Sequence, residues 1–181
     1  EYMSATLSSD MDATDKVQIF YADTLAQKVH VLAPDINASE YRFVPVPDEH
    51  CAQNKPTRTI RYGLGAIKGT GQSAVEAIVA ERKARGPFKD LFDFCRRVDK
   101  RLVNRRAIEA LIRAGAFDGL NDHRAQLLAS VEAALAAADA AAAHTAQNSL
   151  FDEAEQGIQD IALVDVPRFD ERKQLAEEKT A

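Results

Sequence analysis

Lys68-Gly69-Thr70-Gly71 is where residue types and spacing in this 181-residue chain could do chemistry without a catalytic side chain. Glycine permits φ > 0 and leaves no side chain between the backbone and a ligand. Two glycines one residue apart let the amides of a tight turn, and of the next helix's first turn, aim at a phosphate oxygen. Such contacts fix position and read no base. A Gly-x-Gly triplet means little alone, because eight glycines in 181 residues yield about 0.35 of them by chance. Its surroundings carry the meaning. Ile67 stands two positions before the first glycine, and Ala74, Val75, Ile78 and Val79 open an apolar helical period after the second. That is the pattern of a helix–hairpin–helix. Lys68, Arg82, Lys83 and Arg85 flank it. Lys100, Arg101, Arg105 and Arg106 cluster at the next helix junction, where a second, glycine-free hairpin would sit. The same residues also suit a plain turn between two packed helices.

Enzymatic readings fare worse. Asp90 lies 19 residues past Gly71, near the place where glycosylases built on such a hairpin carry an aspartate. It also precedes an apolar helix, where a carboxylate is favoured by the helix dipole. His30, His50, His123 and His144 are scattered, and Cys51 and Cys95 have no metal-ligand spacing. No Ser/His/Asp grouping, Walker loop or paired-carboxylate motif is present.

Helices must position these residues. The pattern predicts one over 15–31, then a break at Pro34-Asp35-Ile36-Asn37. Tyr41–Val44 and Thr57–Tyr62 read as a two-stranded ribbon with a long connection. One helix should follow Gly71 and end near Gly86-Pro87, and a second should run from about Asp90 to Val98. A third should start at Asn104 as N-cap and stop at Gly115. A fourth should run from His123 to about Ala143, with an alanine-rich second half. Beyond Thr145 no periodicity survives, and an acidic linker is expected.

Composition is that of a folded chain, at 46% hydrophobic and 28% charged. No run of 18 strongly apolar residues occurs, so no membrane span is expected. Two cysteines 44 residues apart make no disulfide framework, and without a visible signal peptide a cytoplasmic location is expected. A chain that opens on Glu1 and ends in a charged run reads as a piece of something longer. The net charge of −5 hides a segregation: −5 over residues 1–57, +7 over 58–124 and −7 over 125–181. A basic block between acidic ones fits a phosphate-binding module, and equally a solvated helical surface.

The run Ile60-Arg61-Tyr62-Gly63-Leu64-Gly65-Ala66-Ile67-Lys68-Gly69-Thr70-Gly71, followed by Ala74–Ile78, resembles the α subunit of bacterial DNA polymerase III, the replicative C-family polymerase. Gly86-Pro87-Phe88, Leu91–Cys95, Val103–Arg106, Ala114–Asp118, His123–Ala125 and Pro34–Asn37 extend the similarity over nearly the whole chain. The resemblance implies a mainly α fold: a tandem helix-hairpin-helix with a small α+β N-terminal segment and an acidic C-terminal linker. Residues 1–57 would end the fingers domain, 58–144 would grip duplex DNA, and 145–181 would hold a clamp-binding motif and linker. The DNA contacts would be Lys68, Gly69, Thr70, Gly71, Arg82, Lys83, Arg85, Lys100, Arg101, Arg105 and Arg106. Thr70 departs from the apolar residue usual there, so weaker packing of the hairpin tip is expected. The family's catalytic aspartates lie upstream. The parent would be a magnesium-dependent DNA-directed DNA polymerase working with other replisome subunits, and this stretch would be inert, with no cofactor of its own.

Gln147-Asn148-Ser149-Leu150-Phe151 resembles the family's internal sliding-clamp motif, with Gln147, Leu150 and Phe151 as its contacts. From 9 Gln, 14 Leu and 8 Phe, a Gln-x-x-Leu-Phe arises by chance about 0.03 times per chain. Two adjacent large apolar residues in an acidic stretch suit a peptide that fills a partner's groove. They could instead fold back on the preceding helix.

Overall fold

Helix α5 (Arg105–Arg113) shows how the helical part is specified. Asn104 Oδ1 accepts the Ala107 N–H at 3.0 Å and so starts it. Gly115, at φ +82°, ends it by letting the Ala116 N–H return to the Leu111 carbonyl at 2.9 Å. The same logic bounds its neighbours in this computed structural model, which describes residues 1–11, 13–47, 58–148 and 162–180. Helix α3 (Gln72–Arg85) runs from Gly71 to Gly86. Helix α4 (Leu91–Arg97) starts at Asp90, whose carboxylate accepts the Asp93 N–H at 2.7 Å. Asp90 therefore serves as an N-cap.

Helix α6 (Arg124–Asn148) packs across α4 and α5. It is long and apolar enough to cross a bilayer by composition, but Leu127, Val131, Ala134 and Ala138, at helical spacing, are buried in the core. Phe88, Phe94 and Phe117 meet edge to face there, with ring centroids 4.9 and 5.1 Å apart. Burial beside them pushes the Cys95 thiol up to about 12, so it stays protonated at neutral pH. Cys51 lies outside the described residues.

The N-terminal layer holds α1 (Tyr2–Ser9), α2 (Thr14–Ala26) and a small sheet. Strands β1 (His30–Leu32), β2 (Val44–Pro45) and β3 (Thr59–Arg61) take the order β1-β3-β2. The β2–β3 pair is antiparallel and answers to the expected two-stranded ribbon, with its first strand at Val44–Pro45 and not 41–44, while β1 pairs parallel to β3 where helix was expected. Helix α2 stops early because Lys28 takes φ 59° and the Val29 N–H closes on Thr24. No glycine marks that stop. Met3, Leu7, Val17, Phe43 and Ile60 make this layer's own core, but Ile36 belongs to the helical one. Asn37 fixes it there by exchanging two hydrogen bonds with the Phe88 backbone, at 2.9 and 2.8 Å.

The C-terminal stretch also differs from expectation. Helix α6 continues to Asn148, and a further helix, α7 (Glu171–Thr180), follows. Leu163 packs on the helical core, and Val164 N–H donates to Ser130 Oγ at 2.9 Å. Glu177 pairs with Arg113, and Glu178 with Arg124. Helix α7 is held by charge, so no apolar stripe announced it.

Arg97 ties the first hairpin's helix to the second motif. Its guanidinium meets Glu81 at 3.0 Å and Asp93 at 3.0 Å, donates to the Gly86 carbonyl at 2.7 Å, and lies 4.5 Å over the Phe88 ring. Burial alone would raise both carboxyls. Hydrogen bonds from Arg97 and Arg85 to Glu81, and from the Lys89 amide, Arg97 and Arg96 to Asp93, outweigh it and hold both below their ordinary values. A depressed carboxyl stabilises the fold above its unfolded pKa, and that contribution is lost as pH falls through the folded value. Arg97→Met should cost about 3 kcal/mol at pH 7, roughly 6–12 °C in Tm. Thermal melts should show the gap from wild type narrowing below about pH 4.

Candidate nucleic-acid interface

The first hairpin is built from the inside out. Leu64–Ala66, ahead of the hairpin tip, forms a single 3₁₀ turn. Gly65 is needed there, because a Cβ would sit 2.4 Å from the Tyr41 ring. Ile67 is buried beneath the tip. Gly69 takes φ +91°, and the nearest group to a Cβ placed on it would be the Ala110 methyl of α5 at 3.9 Å. Thr70 is buried with its hydroxyl 2.8 and 2.7 Å from the Leu64 and Ile67 carbonyls. Its departure from an apolar residue is thus internally satisfied. Gly71 is extended and supplies no side-chain cap. The Ala74 and Val75 amides both return to its carbonyl, and those of Gln72 and Ser73, at the first two helical positions, have no intrahelical acceptor.

The second junction does the same without glycine. Asp99 accepts the Leu102 and Val103 amides on its carbonyl and the Arg101 amide on its carboxylate. Asn104 then caps α5, leaving the Arg105 and Arg106 amides at its open first turn. Because Gly69 faces Ala110, the first hairpin sits against α5, and Arg106 lies one turn before that contact on the same face.

The cations expected to bind phosphate fall into three groups. Lys68, Arg101 and Arg106 are exposed and have no ion pair among the described residues. Lys83, Arg85 and Arg105 are exposed but paired, with Glu40, with Glu81, and with Glu109 and Glu132. Glu109 is held below its ordinary value by the Arg105 hydrogen bond, against burial, with Arg113 assisting. Lys100 is half-buried and bonded to the Leu135 carbonyl and the Asp139 carboxylate of α6. Arg82 is a correction. Its side chain is buried and directed into the 36–40 loop, donating to the Ile36, Ser39 and Glu40 oxygens at 3.0, 2.6 and 3.1 Å. It closes that loop on the core and cannot reach a duplex.

Sequence reasoning passed over Arg97 and Arg124, which are buried ties, and over Arg58, Arg61 and Lys89, which have no ion pair. A basic residue three or four positions from an acidic one on α3, α4 or α5 was the available sign of pairing. Among the described residues no three His, Cys, Asp or Glu side chains could hold a metal ion, so the magnesium implied by the polymerase resemblance finds no ligand set in them. Gln147 lies in the last turn of α6, and Leu150 and Phe151 lie outside the described residues.

Two hairpins, each opening a helix N-terminus beside unpaired cations and packed through one core, define a helix-hairpin-helix protein. The chain belongs to that family, whose helix-hairpin-helix motif matches residues 28–127. Along almost its whole length it is also similar to proteins named DNA polymerase III subunit alpha. It is 49% identical over 180 residues to that of Neisseria meningitidis serogroup B, covering 99% of this chain and 15% of that protein. It is 44% identical over 173 residues to that of Xylella fastidiosa, covering 94% and 14%. It is 39% identical over 183 residues to that of Haemophilus influenzae, covering 99% and 15%. The resemblance read from the sequence is therefore shown, and the chain spans about 15% of the length of these relatives.

Arg82→Met should lower Tm by about 5–10 °C, since it strands buried carbonyls of the 36–40 loop. Lys68→Ala should move it by less than about 2 °C. Thermal unfolding of the two variants side by side separates the structural cation from the exposed one.

Proposed function

We propose that this chain is the duplex-DNA-gripping and clamp-docking part of a replicative DNA polymerase. The observation that carries the reading is the pairing of two open helix N-termini, of α3 and α5, with the unpaired cations Lys68, Arg101 and Arg106. Amides offer phosphate oxygens fixed donors, and the cations supply a sequence-independent attraction. The similarity to proteins named DNA polymerase III subunit alpha supports this reading, in which a longer, magnesium-dependent protein in the cytoplasm would carry out DNA-directed DNA synthesis among other replisome subunits. On this reading the chain binds primer-template duplex and performs no nucleotidyl transfer itself. Gln147, Leu150 and Phe151 would hold the sliding clamp, keeping the enzyme on its template.

A base-excision enzyme is the other reading, and its candidate aspartate is already engaged. Asp90 caps α4 through its Oδ1. Conversion of lesion-bearing duplex to abasic product, abolished by Asp90→Asn, would favour that enzyme.

Titration of labelled duplex with the full chain should give affinity that falls steeply with salt and ignores sequence. Lys68→Ala should weaken binding evenly across sequences and flatten the salt slope by about one unit. Salt-independent binding would leave only a helical interaction module. Replacing Leu150 and Phe151 together by Ala should abolish clamp binding, expected near ~1 μM, without changing duplex binding or Tm. A double variant that melts well below wild type would place the pair in the core instead.

A further inference from the structure

Helix α7 is attached in an unusual way for a C-terminal helix. Its largest apolar residue, Leu175, is 58% exposed, while its carboxylates reach inward. Glu177 lies 2.9 Å from Arg113 Nε, and Glu178 lies 2.6 Å from Arg124 Nη1. The remaining donors of Arg124 are fixed independently, bidentate on Asp118 at 2.8 and 2.6 Å and on the Arg113 carbonyl at 3.1 Å. That guanidinium stays in place whether or not Glu178 is present.

The two arginines stand beside the first hairpin. Arg113 is three residues past Ala110, the residue that Gly69 faces. Ile67, at the hairpin base, lines one cavity of about 320 Å³ together with Ala114, Arg124 and Glu178. Glu178 and the hairpin base thus line the same cavity.

We infer that Arg113 and Arg124 form a second contact site for the phosphodiester backbone of the duplex, occupied in this structure by Glu177 and Glu178 of helix α7. The inference rests on the proposed duplex binding at the first hairpin. Carboxylate and phosphate take the same charge-assisted place on a guanidinium. Glu177 and Glu178 stand where phosphate oxygens would stand. A guanidinium edge that holds the Glu177 or Glu178 carboxylate cannot hold a phosphate oxygen as well, so α7 and the duplex exclude each other at this site. Each pair keeps one partner partly open to solvent, Arg113 at 32% and Glu178 at 39%, so salt weakens both and α7 yields to a polyanion already anchored at Lys68. Linkage makes the competition reciprocal: whatever loosens α7 strengthens duplex binding, and duplex binding loosens α7.

The test uses the full chain and a labelled duplex of about 20 base pairs, longer than a single hairpin contact. Replacing Glu177 and Glu178 together by Gln should raise affinity ~5-fold and steepen the salt slope by one to two units, one per phosphate newly contacted. Adding Arg113→Ala should cancel most of that gain. An equal change of charge on α2, Asp15→Asn with Asp23→Asn, sets the effect of net charge alone. In the wild-type chain, saturating duplex should speed hydrogen exchange at the α7 amides. The inference fails if the glutamine pair gains no more than the α2 control with its slope unchanged. It fails equally if α7 exchange is unaltered by duplex that binds. If no form of the chain binds duplex in a salt-dependent way, the proposed function itself fails and takes this site with it.

Discussion

A guanidinium drawn nearly out of solvent must have its donors met, and the junction of the two hairpin motifs is arranged around one, Arg97, whose side chain is 10% exposed. Arg97 collects Glu81 from α3, Asp93 from α4 and the carbonyl of Gly86 between them, with Phe88 beneath its plane. The carbonyls at the end of a helix have no partners of their own. Arg97 answers one of them and fixes the angle at which α4 leaves α3. That angle sets where α5 lies, and α5 is the surface on which the first hairpin rests through Gly69 and Ala110. The spacing of the two helix N-termini that face solvent follows from an interaction well inside the domain.

Arg82 and Arg124 repeat the device elsewhere. Arg82 clips the 36–40 loop to α3, and Arg124 joins the end of α5 to the start of α6 through Asp118 and the Arg113 carbonyl. Much of the positive charge in the middle of the chain is thus internal wiring. What remains for a polyanion is a smaller and better-placed set at the helix starts. Net charge over a segment measures the sum of both uses.

The helical part could be read in advance because its punctuation is local. Asp90, Asn104, Gly86 and Gly115 bound α3, α4 and α5 within a residue or so of where they stand. Three features escaped for physical reasons. Strand β1 follows a helix stop made by Lys28 in a left-handed conformation, which no residue type signals. Helix α7 has no apolar period because its partners are arginines distant in the sequence. The division of cations into buried ties and exposed contacts depends on which face of α3 and α4 turns inward, and Arg82 fell on the wrong side. Thr70 is the converse case. An unusual residue type at the hairpin tip is accommodated because its hydroxyl finds two carbonyls in the same turn.

The order of the small sheet bears on how the chain is made. Both β1 and β2 pair with β3 and not with each other, so two strands made earlier wait for Thr59–Arg61. Ile60 also completes the apolar cluster of α1 and α2, and Ile36 waits longer still for the helices that bury it. Pairing across a long connection costs loop-closure entropy before it gains contacts. Within this stretch, residues 1–47 therefore make their sheet pairings only once Thr59–Arg61 has been made. The later helices, rich in near-neighbour contacts, are the natural nucleus, and the N-terminal layer assembles backwards onto them.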